Sequence, residues 1–188
     1  MSSGVVVGGD GVARCPWGVS TPDYVRYHDE EWGHQIRDDN GLFERLTLEA
    51  FQSGLSWLTI LRKRESFRRA FAGFDITAVA EFGPGDRERL LADAGIVRNR
   101  AKIDAAMTNA RAAAALDEPL SDLIWRFAPE SHPAPVTTAE IPAKTAESVA
   151  LSRELKRRGF AFVGPVTLYA LMQAAGLVND HLADCAYR

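Results

Sequence analysis

Both cysteines of this 188-residue chain and two of its four histidines stand where they can share a metal ion. Cys15 lies in "ARCPWGVS", His28 in "YVRYHDEEWG", and His181 and Cys185 close the set in "NDHLADC". His181 and Cys185 are four residues apart, one helical turn, so on a helix their side chains face the same way. With Cys15 and His28 they would supply two sulfurs and two imidazoles, a Cys₂His₂ set suited to one tetrahedral zinc ion. Four protein ligands leave no position for a reactive water, so such a zinc would be structural and would join the N- and C-terminal segments. Two other readings stay open on these residues alone. One is a disulfide, which a reducing cytoplasm disfavours; the other is two unrelated buried thiols beside satisfied histidines.

A second constellation surrounds one carboxylate. "YVRYHDEEWG" and "LEAFQSGLSWLTIL" place Glu49 among Tyr24, Tyr27, Trp32, Phe51 and Trp57. Aromatic residues are most often core. A carboxylate in such company, however, is costly to bury without a partner. A planar cationic or hydrogen-bond-donating ligand held between rings would be that partner, and a flipped-out nucleobase is one example. A third feature is "RRGFAFVGPVTLYALMQAAG", with Gly159 where one helix should stop and Pro165 where the next should begin. Between them a tight hairpin would offer backbone N–H groups to an anion at Gly164. The pattern fits a helix-hairpin-helix over about 150–176, and also an ordinary helical hairpin; Phe160 and Phe162 read as hairpin core rather than base contacts.

The elements that must hold these groups are helices almost throughout. Apolar residues recur at the helical period in 38–54, 56–74, 98–116 and 165–176. Caps are expected at Ser20 or Thr21, and short helices capped by Asp75 and Asp86, the second ending at Gly95. A Pro-bearing linker runs from Pro129 to Pro142, and "NDHLADC" is expected as a last turn or two. No alternating strand pattern appears, so the fold class is all-α. Residues 1–13 read as a disordered leader and 14–188 as a single helical domain. No apolar run is long enough to span a membrane, and the start lacks the pattern of a signal peptide; the cytoplasm is expected. The formal net charge of −3 does not announce a nucleic-acid binder, but 12 of the 22 Lys and Arg residues fall in three tracts, Arg62–Arg69, Arg98–Lys102 and Arg153–Arg158. On one shared surface these would follow a phosphate backbone; singly, each is the solvated face of a helix. The residues alone are thus also compatible with a helical nucleic-acid-binding module without catalysis, or with a zinc hydrolase, against which four matched ligands argue.

"RCPW", "YHDEEWG", "LFERLTLEAFQSGLSW", "LRKRESFRRAF", "DAGIVRNRAKIDAAMTNARA", "KRRGFAFVGP" and "MQAAGLVNDH" together resemble the DNA-3-methyladenine glycosylase I family, a divergent branch of the helix-hairpin-helix DNA glycosylases. The blocks run in order from about Arg14 to Cys185. The resemblance implies removal of 3-methyladenine from alkylated double-stranded DNA by a monomer with one structural zinc, held by Cys15, His28, His181 and Cys185. It places the base against Trp57, with Tyr27 and Glu49 on its edge and Tyr24, Trp17 and Trp32 nearby. Gly54 and Leu55 would fill the gap left in the duplex, and Gly159, Phe162 and Gly164 would meet the DNA backbone. It implies recognition of the base by Glu49 first, with any part in the chemistry second, and Asp180 reads as structural. One departure stands out. Where the family often has two adjacent amides, as in "GQQAG", this chain has "AFQSG", so Phe51 is expected to make the pocket more apolar.

Overall fold

A computed structural model describes residues 4–188. Among them nine α-helices are linked by short turns: α1 (Pro22–Glu30), α2 (Asp39–Gln52), α3 (Trp57–Ala70), α4 (Ile76–Ala80), α5 (Pro84–Ala92), α6 (Arg100–Ala114), α7 (Leu120–Trp125), α8 (Ala146–Arg157) and α9 (Pro165–Ala174). Side-chain oxygens close most of the N-termini. Thr21 accepts from the Tyr24 N–H at 3.2 Å, Asp38 from Gly41 at 2.7 Å, Ser56 from Thr59 at 3.2 Å and Asp75 from Ala78 at 2.8 Å. Each satisfies a donor that the first helical turn would otherwise leave unpaired.

The centre is α2. Leu42, Phe43, Leu46, Leu48 and Phe51 are fully buried on it, and it packs against α3, α6, α7 and α9. A helix apolar on nearly every side belongs in the interior. Phe51 meets Phe67 and Phe71 of the next segment with ring centroids 4.8 and 6.0 Å apart, and Phe71 lies parallel to Phe74 at 5.7 Å. Burial of each such side chain is worth about 1.5–3 kcal/mol. Behind this layer α4 packs on α6, and α8 lies against α9.

Several expectations change. Residues 1–3 lie outside the described residues, but the rest of the expected leader is ordered: Val6–Val7 (β1) pairs antiparallel with Ala13–Arg14 (β2). The ribbon is pinned by Arg14, which is buried and donates to Asp29 and Asp10. Asp86 is not the residue before α5 but its third residue; its carboxylate accepts from the Gly83 N–H at 3.0 Å, and the helix ends at Ala92 rather than Gly95. "NDHLADC" forms turns, not a helix. The basic tracts lie on three separate helices and much of their charge is spent on acids: Arg62 pairs with Asp23, Arg64 with Glu31, Arg68 with Glu44, and Arg157 and Arg158 with Glu154. Phe160 is hairpin core, but Phe162 is 43 % exposed.

The end of α9 seats directly on the segment after α1. Gly176 has φ +74°, and a Cβ there would stand 2.7 Å from the Gly33 carbonyl oxygen and 2.8 Å from the Gln35 nitrogen. Gly176→Ala therefore combines backbone strain with a clash against main chain that cannot rotate away. It should cost more than about 2 kcal/mol, read as a lower midpoint in denaturant unfolding; an unchanged midpoint would contradict this packing.

Candidate active site

A cleft of about 510 Å³ opens beside the C-terminal end of α2. Trp17, Tyr24, Tyr27 and Trp32 form one continuous aromatic wall, and Glu49, Gln52 and Trp57, the first residue of α3, line the cleft with them. Trp17 meets Trp32 edge-on at 4.9 Å and Tyr24 at 5.7 Å, while Tyr27 lies tilted against Trp57 at 5.4 Å. The Tyr24 hydroxyl accepts from the Leu58 N–H at 3.0 Å and so ties this wall to the start of α3. Every aromatic expected around Glu49 lines the cleft except Phe51. Residues two apart on a helix point to different sides, so a cleft-facing Glu49 sends Phe51 into the core, whereas Gln52, three residues on, shares its face. Phe51 therefore leaves the polarity of the cleft unchanged. The sequence reading missed Ser20, Thr138, Ile141, Ala170 and Gln173, which complete the lining. Gln173, a polar side chain within the otherwise apolar "LYALMQAAG", was the one available signal. Its amide donates to Asp180 at 2.8 Å; the same buried carboxylate accepts from Tyr169 at 2.7 Å and contacts His132 at 2.6 Å.

The electrostatics centre on Glu49. Burial pushes its carboxyl up to about 8, against the opposing pull of Arg45, one turn earlier on α2. Arg45 is bonded elsewhere through one nitrogen, while its Nη1 is buried without a hydrogen-bond partner among the described residues. Its guanidinium donates to Glu31 at 2.7 Å and lies 5.5 Å over the Tyr27 ring. Arg64 grips the same Glu31 carboxylate at 2.5 and 2.8 Å. Although burial opposes it, bonds from Arg64 and Arg45 hold Glu31 down at about 2. Glu31 is thus satisfied and ionised, whereas burial favours the protonated form of Glu49 near neutral pH, and a cation placed in the cleft would favour its ionised form.

Behind the wall, Cys15, His28, His181 and Cys185 are all buried, with their donor atoms within 4.8 Å of one another. Both cysteines are free thiols. The Cys185 sulfur lies 3.6 Å from His28 Nε2 and 3.5 Å from His181 Nδ1, and the Cys15 sulfur 3.8 Å from His181 Nδ1. The other ring nitrogens are engaged: His28 Nδ1 with Asp29 at 2.8 Å and His181 Nε2 with the Trp32 carbonyl at 3.0 Å. Each imidazole therefore turns a lone pair inward, the arrangement in which a metal-binding histidine is oriented by an outer oxygen. Burial lowers both, His181 to about 4, and raises the Cys15 thiol to about 12. Such a pocket keeps the imidazoles neutral and disfavours thiolates unless a cation sits among them.

At the rim, between Gln52 and Trp57, a turn carries Gly54 at φ +80° and Leu55, 40 % exposed. In the turn after α8, Gly159 at φ +90° ends the helix, with the Phe160 N–H bonded back to the Leu155 carbonyl at 3.0 Å. Phe162 follows at φ +56°, and Gly164 precedes the first residue of α9.

Fold and cleft together define a helical protein whose aromatic cleft, lined also by a buried carboxylate, has the chemistry to take a flat, electron-poor ligand. Comparison with known proteins makes this specific. Residues 17–188 match the family model for methyladenine glycosylase. DNA-3-methyladenine glycosylase 1 of Escherichia coli is 48% identical over 179 residues, 92% of this chain and 95% of that protein. A crystal structure of 3-methyladenine DNA glycosylase I superposes with a TM-score of 0.88 at 44% identity, covering 92% of this chain and 98% of the other. The Staphylococcus aureus enzyme, solved to explain 3-methyladenine recognition, gives 0.87 at 34% identity, with 93% and 95% covered. The chain belongs to the methyladenine glycosylase family.

The raised Glu49 pKa has a measurable consequence. The folded state holds this proton more tightly than the unfolded chain, whose ordinary value is 4.5, so the ionised carboxylate weighs against folding increasingly as pH rises from about 4.5 through 8. Glu49→Gln should raise stability at pH 8.5 by on the order of a few kcal/mol, a gain that shrinks towards pH 4.5. Melting curves of the two proteins that stay parallel across this range would contradict the burial argument.

Proposed function

We propose that this chain releases 3-methyladenine from alkylated double-stranded DNA by hydrolysing the bond between base and deoxyribose, as a monofunctional base-excision repair glycosylase. The observation that carries the reading is an uncompensated carboxylate, Glu49, in the lining of an aromatic cleft in a chain of this family. Methylation at N3 makes adenine cationic. A nucleotide turned out of the duplex brings the cleft a flat positive charge, which stacks on Trp57 for about 2 kcal/mol in a dry site and gives Glu49 the partner it lacks. Tyr27 and Glu49 take the edge of the base; Tyr24, Trp17 and Trp32 close the walls. Normal adenine, uncharged, gains neither term.

The chemistry needs little more. The electron pair of the glycosidic bond passes to the ring and cancels its charge, so the base leaves neutral without being protonated. The oxocarbenium-like sugar left behind takes the oxygen of a water molecule, whose proton goes to solvent. Glu49 is assigned to base recognition before any part in that step. Gly54 and Leu55 occupy the gap in the duplex. The backbone of Gly159, Phe162 and Gly164, with the N-terminus of α9, meets a phosphate in the manner of a helix-hairpin-helix. The protein acts as a monomer in the cytoplasm.

Zinc fits the four-donor cluster. Zn–S near 2.3 Å and Zn–N near 2.0 Å place tetrahedral S and N atoms about 3.6 Å apart, close to the three separations of 3.5–3.8 Å seen here. When bound, the ion supplies a structural tie and no reacting group. Cys185→Ser should lower zinc content and melting temperature more than it lowers turnover. Gly18→Ala should do the same with all four donors present, because a Cβ at Gly18 would stand 2.6 Å from the His28 ring. Metal analysis and thermal melting check both; full zinc in both variants would remove the assignment.

The direct test is release of free 3-methyladenine from methylated duplex by the metal-loaded protein. Glu49→Gln should slow it on the order of tenfold to a hundredfold, and Trp57→Ala should weaken lesion capture about tenfold while leaving affinity for undamaged duplex. No release from the folded wild type would reject the proposed activity.

A further inference from the structure

Two buried polar side chains take no part in the cleft. Lys102 and Asn109, both on α6, are 9 % and 1 % exposed. Burying such groups is unfavourable unless they are bonded, and both are bonded to main chain. The Lys102 ammonium donates to the Phe51 carbonyl at 2.8 Å and the Ser53 carbonyl at 2.5 Å. These acceptors are the C-terminal end of α2, where a cation is favoured, and the start of the turn that carries Gly54 and Leu55. Asn109 pairs with Ala161 in both directions: its amide donates to the Ala161 carbonyl at 3.0 Å, and its oxygen accepts from the Ala161 N–H at 2.7 Å. Ala161 is the middle of the turn between α8 and α9, whose Val163 carbonyl also accepts from the buried Ser152 hydroxyl at 2.6 Å.

Seven residues make almost two turns, so Lys102 and Asn109 project from one face of α6, about 10.5 Å apart along its axis. Each tethers a loop that exposes a large apolar side chain, Leu55 in one and Phe162 in the other, at 40 and 43 %. Phe162 also holds φ +56°, a conformation that a bulky residue keeps only when its surroundings impose it. One straight helix is thus bonded to both loops.

We propose that α6 acts as a gauge: Lys102 and Asn109 are positioning residues that fix the offset between the Leu55 turn and the Phe162 hairpin, so that both engage one duplex in register. The inference rests on the DNA-contact reading of these loops given above. On each strand a phosphate recurs about every 3.4 Å of helix axis, so a few ångströms of play in either loop separates the grip on the backbone from the extruded nucleotide. Neither anchor lines the cleft.

The test uses Lys102→Met and Asn109→Asp, singly and together, on the full chain. Three quantities are compared with wild type: excision from a duplex with a single 3-methyladenine, affinity for a duplex with a stable abasic analogue, and calorimetric binding of free 3-methyladenine. Each single variant should lose at least tenfold in kcat/KM on the duplex and weaken its abasic-duplex affinity, with free-base affinity within twofold. The double variant should lose less than the product of the single losses, because one broken anchor already frees the offset. Excision within twofold of wild type would overturn the proposal, as would free-base binding that falls in step with excision, or losses that simply multiply. If Asn109→Asp does not fold, the three measurements on Lys102→Met, with Lys102→Arg restoring the donor and recovering activity, decide alone. A wild type that excises nothing would instead sink the glycosylase reading, a result that the variants cannot mimic.

Discussion

Four side chains from opposite ends of the sequence hold the aromatic wall of the cleft upright. His28 stands edge-on to Trp17 at 5.2 Å, and His181 to Trp32 at 4.7 Å, with its Nε2 bonded to the Trp32 carbonyl. Hydrophobic burial also holds the wall, though not as part of the main core. Tyr27 and Trp32 pack in a small cluster of their own with Ala174, beside Trp17, Trp57 and Leu61, apart from the large core around α2. Edge contacts from the two histidines and the bond to the Trp32 carbonyl therefore add direction to the area-driven packing of the wall.

Against that wall the charge distribution is uneven in a useful way. One carboxylate, Glu31, receives two guanidiniums, while the next, Glu49, receives only the residual field of Arg45. Pairing Arg45 with Glu31 holds a cation over the Tyr27 ring and leaves Glu49 with its field but no hydrogen bond from it. A direct bond from Arg45 would stabilise the ionised Glu49 and lower its pKa. The same economy governs Asp180, which binds Tyr169, Gln173 and His132 at once and so holds α9, the linker and one edge of the cleft together.

Much of this was legible in the residues, and the exceptions have physical causes. Helix caps at Thr21 and Asp75 follow from local chemistry, and so does the helical period of α2, with Leu42, Phe43 and Leu46 turned inward. The convergence of Cys15 and His28 on His181 and Cys185 was also readable from donor type. That "NDHLADC" makes turns was not, because a four-residue spacing brings side chains together in a compact turn as well as in a helix. Phe51 misled because type was read without direction: an aromatic two residues from Glu49 must face away from it. The ribbon at Val6–Val7 depends on the buried Arg14–Asp29 pair, a contact between segments that no local pattern announces. The basic tracts looked like a phosphate track, but Glu31, Glu44 and Glu154 lie in other stretches of sequence or one turn away and claim their charge.

The joint between Cys15, His28, His181 and Cys185 also bears on shortened chains. Cys15 lies 166 positions before His181. A chain stopped short of residue 181 would keep the phenylalanines of α2 and α3 and the mutual contacts of Trp17, Tyr24, Tyr27 and Trp32. It would lack the imidazole that stands edge-on to Trp32 at 4.7 Å and bonds its carbonyl. Loss of that one segment would be felt behind the cleft, far along the sequence from the rings it supports.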